Sequence, residues 1–189
     1  MSEKVIWPGS TQLAPVPAVL VGCGNGTDFK NNLITVAWAG IVCSTPPMVS
    51  VSIRPERYSR GLIESTGEFT INVPTVAMAE AVDYCGMVSG RDTDKFAAAN
   101  FTAKKGSKVA APIVDECPLA LECKVVHSLK LGSHIMYVGE VVAVQAEKAL
   151  IDAKGKFDLA KADILGYAHG NYYGLGEAVG AFGFSIKKK

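Results

Sequence analysis

Arginine and serine side chains gather where one apolar stretch gives way to another. In MVSVSIRPERYSRGLIE, residues 48–64, an alternating strand pattern runs into Arg54, Pro55, Arg57 and Ser59, and a helical pattern follows. The start of a helix leaves backbone N–H groups unpaired and carries partial positive charge. Guanidinium and hydroxyl groups added there make a seat for an anion, most often a phosphate. A solvated turn followed by a surface helix uses the same residues, and residue types alone leave both readings open.

Other candidate chemistry is sparse. The three histidines are His127, His134 and His169, none with a His, Cys or carboxylate neighbour at metal-ligand spacing. A lone histidine is more often a hydrogen-bonded strand residue than a ligand. Cys23 and Cys43 lie in or beside apolar strands and are expected as buried packing residues. Cys85, beside a glycine loop, is a better candidate for a reactive thiol than these, with packing still the favoured reading. GCGNG, residues 22–26, has the wrong spacing for a dinucleotide loop and no helix pattern after it. An anion seat without a catalytic set suits a protein whose chemistry is carried by a phosphate-bearing cofactor.

The elements that must hold such a seat read mainly as strands. PVPAVLVGCG (15–24), LITVAWAG (33–40), MVSVSIR (48–54) and EFTINV (68–73) are β-rich runs bounded by turn signals. RYSRGLIES carries Tyr58 and Leu62 at helical spacing, and Pro74 opens a helical stretch to Met87. Asp92 or Thr93 is placed to cap a short helix in RDTDKFAAANF. LALECKVVHSLKLG and SHIMYVGEVVAVQAE, parted at Leu131-Gly132, form a hairpin pattern. The glycine- and aromatic-rich tail from Asp152 has no clear assignment. Close-spaced strands with few helices predict a mainly β, α+β antiparallel barrel with short helical insertions rather than a doubly wound sheet.

Composition narrows the class. The 189 residues suit one domain spanning 1–189 with its core at about 15–170, and no linker or repeat divides them. Apolar residues make up 49%, enough to cover a subunit interface or cofactor pocket as well as a core. A net charge of +1 gives no electrostatic reason to expect a nucleic-acid partner, and the lysines at 187–189 read as a short solvated tail. Residues 1–10 lack the apolar core of a secretory leader. The longest apolar run, 33–43, falls short of the ~20 residues of a membrane span. The sequons at Asn25 and Asn100 are therefore read as chance. Five cysteines with no Cys-x-x-Cys pair argue against a disulfide framework or structural zinc, and the expectation is a cytoplasmic chain.

Taken in order, KNNLITVAWAG, VSVSIRPERYS, GEFTINVP, DKFAAANF and LGSHIMYVGEVVAV resemble the flavin reductase-like, FMN-binding split-barrel proteins, most of all the flavoredoxin branch. The resemblance covers about residues 15–170. It implies a six-stranded Greek-key split β-barrel, a homodimer, and FMN near the subunit interface. It implies that Asn32, Thr35, Ala37 and Trp38 line the isoalloxazine ring and that Ser52, Arg54, Tyr58 and Ser59 hold the ribityl phosphate. Lys95 matches a basic residue that reaches the cofactor, His134 a strand residue facing it, and Tyr167 an aromatic beside it. Arg57 and Arg60 are read as surface groups, since one phosphate cannot engage every nearby arginine.

Three functions follow. One is an electron-transfer flavoprotein that keeps FMN bound and meets a redox protein. Another is an NAD(P)H:flavin oxidoreductase with flavin exchanging as substrate. A third is a non-redox barrel that takes haem or another ligand, for which no His or Cys is well placed as an axial ligand. The motif order favours the first.

Overall fold

The computed structural model describes residues 2–186; the lysine tail expected to be solvated lies outside them. Twelve strands and three short α-helices alternate along these residues. The strands are β1 (Val16–Pro17), β2 (Val19–Cys23), β3 (Asn32–Val36), β4 (Ala39–Ser44), β5 (Pro47–Ile53) and β6 (Glu68–Val73), then β7 (Ala103–Lys105), β8 (Pro112–Val114), β9 (Leu119–Leu131), β10 (His134–Ala146), β11 (Leu165–Ala168) and β12 (Asn171–Gly174). The helices are α1 (Tyr58–Thr66), α2 (Ala79–Met87) and α3 (Lys95–Ala98). Seven strands form one antiparallel sheet in the order β3-β2-β6-β9-β10-β5-β4. The mainly β expectation therefore holds, but the sheet has seven strands rather than six. Among the described residues no ladder joins its edges, β3 and β4.

Burial follows from strand position. All five residues of β2 are buried, as expected where a strand has apolar material on both faces. Val19, Val21 and Cys23 point into one cluster with Phe69, Val51 and Tyr137. Leu20 points the other way, into a second cluster with Val82, Cys85 and Phe96 from the helices. β5 instead alternates: Val49, Val51 and Ile53 face the first cluster, so Ser52 must face away from it. The long β9–β10 hairpin turns at Gly132, whose φ of 64° a side chain would strain. Gly139 lies where the Phe69 ring crosses the sheet; a Cβ there would come within 2.6 Å of it.

Four local expectations change. The run 33–40 is not one strand: the chain bends at Ala37-Trp38, leaving β2 and passing to β5. An unbroken apolar run carries no signal for a change of strand partner. The cap of α3 is Asp94, which accepts from Ala97 N at 3.3 Å, and not Asp92 or Thr93. Cys43 is only half-buried, because β4 is an edge strand. The unassigned tail forms the β11–β12 hairpin, which pairs with β1 in a separate three-stranded sheet.

Candidate functional site

A cavity of about 350 Å³ opens where the bend at Ala37-Trp38, the end of β5, the C-terminal end of α2 and the β11–β12 hairpin meet. The bend is tied to β5 by the bond from Ser52 N to Trp38 O, 2.8 Å. β10 runs against β5 with Ile135 opposite Ile53, which brings His134 to the end of the strand that delivers Arg54. The Trp38 and His134 rings stack in parallel, 6.0 Å between centroids and 3° between planes, and both line the cavity. Tyr167 meets Tyr172 edge-on at 5.6 Å, and Tyr172 OH donates to Asp83 on α2 at 3.1 Å. Thr35 Oγ1 donates to Val82 O, which ties β3 to α2.

Seven of the residues expected at a cofactor site line this cavity: Thr35, Ala37, Trp38, Ser52, Arg54, His134 and Tyr167. Four do not. Asn32, Ser59 and Lys95 are buried, each about 2% exposed. Asn32 Nδ2 donates to Ser59 Oγ at 2.8 Å, so that hydroxyl is turned inward. Lys95 Nζ donates to Cys85 O at 2.7 Å. Tyr58 lies under Arg91, 5.6 Å from guanidinium to ring, in a neighbouring hollow. Arg54 and Ser59 therefore have different partners; Arg54 is exposed and pairs with Glu56 at 3.7 Å.

Arg57, set aside in the sequence as a surface group, lines the cavity and donates to Gly86 O. It and Lys95 thus take adjacent carbonyls, Gly86 and Cys85, at the end of α2, where helix carbonyls lack internal partners and favour cations. Burial lowers the Lys95 pKa to about 8; the Cys85 thiol opposes that shift and the Arg57 charge adds to it. Burial raises the Cys85 thiol to about 11, so the structure has it as a packing residue and not a reactive one. Asp83, Gly86 and Tyr172 also line the cavity and escaped the sequence reading. The one local hint was Gly86 inside a helical stretch: a Cβ there would stand 3.3 Å from Thr35 Cβ.

The cavity falls in the usual size range of small-molecule sites. Two parallel aromatic rings, the hydroxyl oxygens of Thr35 and Ser52, and two arginines suit a planar heteroaromatic ring that carries an anionic tail. Fold and site together define a mainly β protein with a cationic, aromatic-lined pocket of small-molecule size.

The chain belongs to the flavin reductase-like family, whose domain model matches residues 11–176. It is similar over 98% of its length to the flavoredoxin of Desulfovibrio vulgaris (Miyazaki F), with 34% identity, all of that chain covered and a TM-score of 0.90. A flavoredoxin from Methanosarcina acetivorans is 32% identical with a TM-score of 0.88, 98% of each chain being covered. An FMN-binding protein from Thermus thermophilus, with bound 1-cyclohex-2-enone, is 27% identical; 96% of this chain and 98% of that one are covered, with a TM-score of 0.79. Among the described residues no helix is long and apolar enough to cross a membrane.

Proposed function

We propose that this chain is an FMN-binding flavoprotein that acts in electron transfer. The observation that carries the reading is the cavity itself, with the parallel Trp38 and His134 rings and the Arg54 and Arg57 side chains on its lining. The flavoredoxin likeness supports the carrier role. FMN, when bound, supplies redox chemistry that no side chain here provides. Trp38 and His134 offer the ring aromatic contacts, Ser52 offers a hydroxyl, Thr35, whose own proton goes to Val82 O, offers an accepting oxygen, and Tyr167 adds a further aromatic to the lining. Arg54 and Arg57 hold the phosphate. Lys95, Asn32, Ser59 and Tyr58 support that end from behind, through the end of α2 and the start of α1.

The protein works as a homodimer in the cytoplasm and takes electrons from a redox protein or from NAD(P)H. The visible spectrum of the purified protein tests the flavin reading. A yellow protein, or stoichiometric quenching of added FMN, is expected; a colourless protein that leaves FMN fluorescence unchanged refutes it. Slow bleaching by NADH alone is expected of a carrier. Rapid steady turnover of NADH with excess FMN would replace the carrier with an NAD(P)H:flavin oxidoreductase. Light scattering at micromolar concentration checks the dimer.

A further inference from the structure

Residues 2–13 form no helix or strand. Val5, Ile6, Trp7 and Leu13 in this arm are exposed at 75%, 100%, 70% and 85%. Among the described residues its one backbone bond is Gln12 N to Ser10 O, 3.1 Å. Apolar side chains left in water forgo the gain of burial, so an uncovered run of this kind marks a contact surface.

A second cavity, about 440 Å³, adjoins the candidate site and shares Ala37, Trp38 and Tyr167 with it. Its apolar surface includes Val16, Ala39 and Ala168, and its rim is the root of the arm at Thr11 and Leu13. Trp7 is four residues from that rim, a tether of at most ~14 Å, yet it stands outside its own cavity.

We infer that Val5, Ile6 and Trp7 of one copy fill this second cavity in another copy, so that the partner packs against the Trp38 and Tyr167 that line both cavities. The inference rests on the dimer proposed above and adds what the partner contributes to the site. An arm rooted on the rim of the cavity that its counterpart fills is a reciprocal contact, as two-fold symmetry requires. Three apolar side chains withdrawn per arm remove on the order of 400 Å² from water. Counting both arms and the cavity walls they cover gives on the order of 1,000 Å², the area a specific interface must clear.

The full chain, as purified, carries the test. Trp7→p-benzoylphenylalanine is prepared with and without ¹⁵N, the two are mixed, and the mixture is irradiated. Mixed-isotope cross-links between position 7 and residues 37–39 or 167–169 are expected. A dimer by light scattering whose cross-links fall elsewhere, within one chain or on the C-terminal segment, overturns the arm and leaves the dimer standing. A monomer overturns both. Trp7 and Trp38 are the only tryptophans, so a second measurement follows Trp38 alone. Its quenching by acrylamide should be at least twofold greater in Ile6→Ser with Trp7→Ser than in Trp7→Phe. Equal quenching also overturns the inference.

Discussion

Lys95 reports whether an anion comes to rest at this site. Its amine is buried against Cys85 O, and burial holds its pKa at about 8. An unperturbed lysine titrates near ~10.4. At pH 8 about half of the ligand-free molecules therefore carry a neutral amine. An anion settling nearby favours the charged form, so FMN binding must draw in a proton. If the bound pKa returns to ~10, the uptake is about 0.1 proton per FMN at pH 7, about 0.5 at pH 8 and about 0.8 at pH 9. The sign for folding is set by the same shift. The unfolded chain holds this proton more tightly, so ligand-free protein gains stability as pH rises from about 8 towards ~10.4. Titration calorimetry in buffers of different ionisation enthalpy measures the uptake. Lys95→Met should bind FMN without it. Zero uptake by the wild type at pH 8 and 9, or the same uptake by Lys95→Met, would show that the ammonium only caps α2 and senses no phosphate.

Three further outcomes are expected. Arg54→Ala with Arg57→Ala should weaken FMN by at least about a hundredfold, from two charge-assisted bonds at ~1.5–3 kcal/mol each, while riboflavin binding in a parallel fluorescence titration stays nearly level. Glu122, buried and accepting bonds from the backbone N–H groups of Ser107, Lys108 and Val109 and from Gln145, clamps the loop at 107–109. Burial pushes its carboxyl up, but the bonds from Gln145, Ser107 and Lys108 prevail and hold it at about 2. Its stabilisation is present above the usual carboxylate pKa and fades as pH falls towards 2. Glu122→Gln sets a donor against backbone donors and should cost ~3–6 kcal/mol in urea unfolding at pH 7; a loss under ~1 kcal/mol would refute the clamp. Gly90→Ala would place a Cβ 1.9 Å from Asn32 Oδ1 and 3.0 Å from the Tyr58 ring. It should destabilise by ~1–3 kcal/mol, and an unchanged midpoint in thermal unfolding would contradict that packing.

Alternation and turn chemistry made much of the architecture legible. β5, β6 and the β9–β10 hairpin fall where period-two patterns and Gly132 put them, because face alternation and hairpin turns are local properties. The ordered motifs carried the family, which the match over residues 11–176 bears out. They also named seven residues that the fold brings to one cavity. The seam at Ala37-Trp38 was not legible, nor was the order of strands across the sheet. A strand's partner is chosen by burial across distant segments, as where β2 pairs with β6 and β10 with β5. Arg57 was misread for the same reason. Only the approach of the end of α2 to the start of α1 turns a turn arginine into a ligand of Gly86 O. Tertiary structure likewise turned Ser59 inward to Asn32 while Arg54 stayed in solvent with Glu56. Residue types announced a cationic, hydroxyl-rich corner; which of its groups share one space depended on contacts between segments far apart in the chain, and those have no local signature.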